Sequence, residues 1–337
     1  MDGMRGPVVG RLRRPAAMNT ETRTCAWACL AALAGLCLSL PYVVAAQTPP
    51  EESAIIPYSP QGADTCLLCH SAQPATIAIF DSKHAVPTDP RSPFGEGQLQ
   101  CEACHGPGGA HIGPAPGGES RIPVIRFSAD SITPVIDQNA MCLGCHDGDS
   151  GFGWHGGPHD GNQVACADCH TVHSGRDAVL DTATQPEVCH QCHQTVRTES
   201  IKPYSHPLQA GKMSCTACHS PHGATVELQL VRQTVNDTCY QCHAEKRGPF
   251  LWEHAPAAED CSLCHTPHGS NYPAMLTQRA PFLCQSCHSQ AGHPSAAYGP
   301  DGLATGIPSI YLLGQSCTNC HSQVHGSNHP SGSKLMR

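Results

Sequence analysis

Residues 261–269 read Cys261-Ser-Leu-Cys264-His265-Thr-Pro-His268-Gly269, and residues 215–223 read Cys215-Thr-Ala-Cys218-His219-Ser-Pro-His222-Gly223. Both open on Cys-x-x-Cys-His, and that core occurs ten times in the 337 residues. The copies begin at Cys66, Cys101, Cys142, Cys166, Cys189, Cys215, Cys239, Cys261, Cys284 and Cys317. Their second thiols are Cys69, Cys104, Cys145, Cys169, Cys192, Cys218, Cys242, Cys264, Cys287 and Cys320. Their histidines are His70, His105, His146, His170, His193, His219, His243, His265, His288 and His321. Ten motifs of two thiols account for 20 of the 23 cysteines.

This spacing is the attachment signature of c-type haem. The two thiols add across the haem vinyl groups, and the adjacent imidazole becomes the proximal ligand of the iron. Zinc sites need two further ligands per metal and no histidine abutting the second cysteine. A disulfide between such close thiols would close too short a loop to be a useful staple. The motif count predicts ten covalently bound haem c groups.

The other three cysteines, Cys25, Cys29 and Cys37, fall in or beside the apolar run 26–40 (AWACLAALAGLCLSL). Arg11, Arg13, Arg14 and Arg23 precede it, and Val44-Ala45-Ala46 follows as a small-residue cleavage pattern. This reads as a secretory signal peptide, with Met1 or Met18 as the start, and its run is short for a spanning helix. Removing residues 1–46 leaves 337 − 46 = 291 residues, 14 Lys/Arg and 25 Asp/Glu, a formal balance of 14 − 25 = −11. That balance disfavours nucleic acid or direct lipid contact. The expected location is the periplasm.

With 5% aromatic residues, 32 Gly and 30 Pro, the chain is poor in ordinary core material. Porphyrin is expected to supply the core, so that folding depends on the cofactor. The predicted fold class is a multihaem cytochrome c: haem-cored, mostly irregular, with short α-helices, little or no sheet, and an elongated haem chain. The expected divisions are the signal peptide (1–46), a short linker (47–65), a decahaem domain of five two-haem repeats (66–332) and a tail (333–337).

The remaining histidines follow the same pairing, with one between the two motifs of each pair and one just after the second. They are His84 and His111, His159 and His173, His206 and His222, His254 and His268, and His293 and His325. These ten are the candidate distal ligands. His155 is an alternative to His159, and His329 to His325. His190, inside its own motif, reads as a surface histidine. The methionines Met141, Met213, Met275 and Met336 do not recur in phase, so ligation is expected to be bis-histidine throughout. A six-coordinate iron leaves no open position for substrate, so no catalytic residue is assigned and the reading is an electron carrier.

The ten-motif layout, the CHxPHG endings and the segment 317–332 (CTNCHSQVHGSNHPSG) resemble the MtrA/DmsE family of periplasmic decahaem cytochromes. The resemblance covers the chain from Cys66 to about Gly332. It implies an electron conduit seated in an outer-membrane β-barrel protein of the MtrB kind. Such a conduit would exchange electrons with a periplasmic or inner-membrane cytochrome and with an outer-surface cytochrome or reductase. Ten haems in file exceed the ~40–45 Å of a bilayer with its headgroups. The stretch 106–139 carries no motif and reads either as a surface loop or as a contact with a partner. Two other classes stay open: a free periplasmic shuttle serving a soluble reductase, and a multihaem enzyme with one five-coordinate haem.

Overall fold

The structure is a computed structural model describing residues 56–113, 121–128, 130–148, 153–223, 226–288 and 316–336. The expected signal sequence, the three cysteines Cys25, Cys29 and Cys37, and His293 lie outside the described residues.

Each motif folds as one helical turn. The amide of the motif histidine donates to the carbonyl of the first cysteine four residues earlier, as in His105 to Cys101 (3.0 Å), His219 to Cys215 (3.0 Å) and His288 to Cys284 (2.8 Å). Positions i, i+3 and i+4 of a helical turn share a face. Both thiols and the imidazole therefore project together, which is why the motif needs this spacing. An α-helix leads into the first motif of each pair. It runs through the motif in α1 (Ala63–His70) and α2 (Val135–His146), and stops at or just past the first motif cysteine in Gln185–Cys189, Val235–Cys239 and Phe282–Gln285. Even-numbered motifs use shorter turns, several of them 3-10, such as Cys215–Ala217, Cys261–Leu263 and Cys317–Asn319. Gln194–Ser200 forms α3. Among the described residues the only sheet joins β1 (Trp252–Glu253) to β2 (Gly326–Ser327), antiparallel.

Buried side-chain amides hold the two motifs of a pair together. Asn139 of α2 accepts from the Cys166 amide (2.8 Å) and donates to the Val164 carbonyl (3.0 Å). Asn236 repeats this one pair of repeats later, accepting from the Cys261 amide (2.7 Å) and donating to Ala257 and Ala258. In the third repeat Gln185 accepts from the Thr216 amide (3.0 Å). Each clamp leaves no buried backbone donor unpaired at the start of the second motif. The cysteine pattern gave no sign of it.

Five apolar side chains are buried among the described residues: Ala63, Ile79, Trp154, Ala165 and Leu208. Burial that sparse is too little to hold a chain of this length on aliphatic packing, and it suits a fold organised around porphyrin.

Described residues of the expected linker and tail bond to the motifs. The Ser59 amide and hydroxyl donate to the buried Glu102 carboxylate (2.9 and 2.7 Å), tying residues before the first motif to the second. At the other end the Lys334 carbonyl accepts from His321 Nδ1 (2.6 Å). The compact unit runs from Ile56 to Arg337.

Candidate functional site

All 20 motif cysteines and all ten motif histidines line one continuous cavity. His155 and His329 do not line it, whereas His159 and His325 do.

Nine motif histidines each face a second histidine across this cavity. The pairs are His70–His111, His84–His146, His105–His173, His159–His193, His170–His222, His206–His243, His219–His268, His254–His288 and His265–His325. Ring centroids are 5.9 to 6.4 Å apart, while interplanar angles range from 11° to 88°. A metal held between two imidazoles by bonds of about 2 Å, with about 1 Å from each nitrogen to its ring centre, spaces the centroids by about 6 Å. Rotation about the metal–nitrogen bonds leaves that spacing unchanged, so constant distance with variable angle is what bis-histidine ligation produces. The donor set and its spacing fit haem iron. The partner expected for His321, His293, lies outside the described residues.

The pairings cross repeat boundaries. His84 of the first repeat faces His146 of the second, and His173 of the second faces His105 of the first. The same exchange links each later repeat to its neighbour, through His159 and His222, His206 and His268, and His254 and His325. His111 instead faces His70 within the first repeat.

Cysteine contacts connect the motifs in sequence order. Within pairs the first thiols come within hydrogen-bonding reach: Cys66 with Cys101, Cys142 with Cys166, Cys189 with Cys215, Cys239 with Cys261, and Cys284 with Cys317. Between pairs the second thiols feel one another: Cys104 with Cys145, Cys169 with Cys192, Cys218 with Cys242, and Cys264 with Cys287. Together these contacts join every motif to the next. Burial lowers the pKa of His84, His105, His268 and His325, favouring the neutral imidazole that binds iron.

Backbone carbonyls orient the rings through Nδ1. His159 pairs with the Pro221 carbonyl (2.7 Å), His206 with Pro267 (2.8 Å) and His254 with Val324 (2.8 Å). Each of those carbonyls belongs to the residue just before another cavity histidine: His222, His268 or His325. The glycine after that histidine has φ of +117° (Gly223), +147° (Gly269) or +135° (Gly326). A Cβ on Gly269 would lie 2.2 Å from the Glu199 carbonyl. Glycine follows histidine in CHxPHG because no other residue fits there.

One reading is corrected. His190 is a buried residue, only 2% exposed, and neither ring nitrogen has a hydrogen-bond partner. Its backbone, fixed by the motif helix, turns the side chain inward rather than to solvent. Within the stretch 106–139 the carbonyls of Ile125 and Ile122 pair with Nδ1 of His105 (2.7 Å) and His111 (2.9 Å). No side-chain motif marks those carbonyls, so sequence reasoning had nothing to find. None of the methionines takes the place of a facing histidine in the nine pairs.

Comparison with known proteins agrees with this chemistry. A doubled CXXCH motif model matches residues 206–248 and 254–293, and a cytochrome c-type protein NrfB-like model matches residues 101–185. The multiheme cytochrome MtrA of Shewanella baltica is 49% identical over 282 residues, covering 83% of each chain. The cytochrome c-type protein NrfB of Haemophilus influenzae is 23% identical, covering 33% of this chain and 67% of its own.

Proposed function

This chain belongs to the MtrA family of multihaem c-type cytochromes, and from that premise we propose that it holds ten haems in file and conducts electrons across the outer membrane inside a β-barrel partner. It binds haem c and is an electron carrier rather than an enzyme. When bound, haem iron supplies one-electron exchange between ferric and ferrous states.

The observation that carries the proposal is the unbroken series of motif contacts from Cys66 to Cys317, flanked by nine facing histidine pairs. In this reading the motif cysteines attach the haems and the motif histidines are proximal ligands. His84, His111, His159, His173, His206, His222, His254, His268 and His325 are distal ligands, and His293 completes the set opposite His321. Two ring ligands per iron keep substrate out of the iron's coordination sphere.

Among the described residues no helix is long and apolar enough to cross a membrane. A crossing therefore needs a protein sheath, and a barrel with a polar lumen provides one. The leader at residues 1–46 supports delivery to the periplasm. Donor and acceptor would be a periplasmic or inner-membrane cytochrome on one side and an outer-surface cytochrome or reductase on the other.

Mass spectrometry of the exported protein is expected to show ten haem additions on a chain starting near Gln47. Co-purification with a barrel protein from outer membranes is expected. Reconstitution of that pair in liposomes should let an external reductant reduce an acceptor sealed inside. Recovery only as a soluble protein that never enters a barrel would favour the periplasmic shuttle.

A further inference from the structure

Nδ1 of a ligating imidazole faces away from the iron, and what it donates to sets the basicity of the ligand. In nine cavity histidines Nδ1 meets a backbone carbonyl: His105, His111, His159, His173, His206, His219, His254, His265 and His321. His70 meets a neutral amide, Gln73 Oε1, at 3.1 Å. Two histidines depart from this pattern. His170 Nδ1 lies 2.7 Å from Asp177 Oδ2, and His268 Nδ1 lies 3.3 Å from Glu199 Oε2.

The Asp177 contact is the stronger of the two. Its other oxygen accepts from the Thr171 amide (3.2 Å) and the Val179 amide (3.4 Å), which hold the carboxylate in place. Its side chain is 16% exposed, so solvent screening is limited. The nearby Arg176 guanidinium is bonded to Asp181, leaving the Asp177 carboxylate to the imidazole. Glu199 sits farther from its histidine, and Lys202 Nζ approaches it at 3.9 Å, offsetting part of its charge.

The geometry points to Asp177 as a positioning residue that lowers the reduction potential of the haem attached at Cys166 and Cys169, with Glu199 acting more weakly on the haem attached at Cys215 and Cys218. A carboxylate accepting the Nδ1 proton pushes electron density onto the ligating nitrogen and adds a negative charge near the iron. Both effects favour ferric over ferrous iron. The series thus contains two low-potential members, at the fourth and sixth motifs, each with a carboxylate behind one ligand ring where ten other cavity histidines meet neutral acceptors. The proposal rests on the reading of His170 and His268 as axial ligands.

The test is a spectropotentiometric titration of the full holoprotein and its Asp177→Asn variant. Asn removes the charge and keeps a single acceptor oxygen, which can serve the His170 Nδ1 proton or the two amides but not both; it still caps the following turn as well as Asp does. The midpoint of one low-spin component should rise by about tenfold in its reduction equilibrium, equivalent to about 59 mV for a one-electron couple. The other components and the haem count should be unchanged. Asp89→Asn, whose carboxylate pairs with Arg91 outside the cavity, should leave every midpoint in place. Glu199→Gln should raise a different component by less, and it carries the test if Asp177→Asn does not fold. Midpoints identical to wild type in both charge variants would overturn the proposal. His170→Ala separates the premise: a high-spin signal with unmoved Asp177→Asn midpoints removes the tuning role alone. An unchanged low-spin spectrum removes the ligation reading itself.

Discussion

His84 and His146 face one another with ring centroids 6.1 Å apart, although the whole motif Cys101–His105 stands between them in the chain. Each repeat thus presents a histidine to its neighbour while receiving one in return. Repeat proteins usually gain stability from packing between neighbours, and under the proposed ligation this exchange adds a cross-link at each boundary. Replacing His84 by alanine is expected to turn the haem of the third motif high-spin, with no change at the first or second. Resonance Raman of the variant, with motif assignment by haem-peptide mapping, checks this. A high-spin haem at the first motif would contradict the exchange.

The two ambiguous histidine choices become separate experiments. His159→Ala and His325→Ala should each produce one high-spin haem, at the fifth and eighth motifs, because these rings face His193 and His265. His155→Ala and His329→Ala should leave the ferric spectrum low-spin. His329 is occupied elsewhere, with Nδ1 accepting from the Ser331 amide (3.2 Å) and its carbonyl accepting from Trp252 (3.0 Å).

Gly269→Ala places a methyl group 2.2 Å from the Glu199 carbonyl at a φ of +147°. Backbone strain of this kind costs about 1–3 kcal/mol, and relief would draw His268 away from His219. Lower thermal stability is expected, together with a partly high-spin haem at the sixth motif. A variant as stable as wild type would show that the turn yields more easily than its packing implies.

Asn236→Ala removes the acceptor of the Cys261 amide and two donated bonds inside a buried clamp. Leaving such a donor unsatisfied costs about 1–3 kcal/mol. Since the clamp also aligns Cys239 with Cys261, haem attachment at the seventh and eighth motifs should fall in yield, as read from the mass distribution of the exported protein. The equivalent Asn139→Ala should affect the third and fourth motifs.

His190 supplies a pH dependence. Burial lowers its pKa below the ordinary 6.5, so on acidification the unfolded chain takes up its proton before the folded one. Its contribution to stability is therefore undiminished above 6.5 and is lost progressively as pH falls below that value. His190→Leu should narrow the difference in melting temperature between about pH 7 and about pH 5. An identical pH profile in the two proteins would argue that His190 is not a source of acid sensitivity.

The sequence alone determined the cofactor class, the low sheet content and the pairing of motifs. Those features are local: thioether attachment and proximal ligation need a thiol, a thiol and an imidazole on one helical turn, and that requirement is written in five consecutive residues. Residues such as His222 and His268 were legible too, because they recur in phase with the motifs. Which histidine faces which was decided only in three dimensions, since a distal imidazole can arrive from any segment that folds near it. So were the burial of His190, the carbonyls of Ile122 and Ile125, and the carboxylates of Asp177 and Glu199 behind two of the rings. A backbone carbonyl carries no side-chain signature, and an aspartate beside a histidine cannot be told in sequence from one in water. Their roles exist only once tertiary packing brings them within hydrogen-bonding distance of Nδ1.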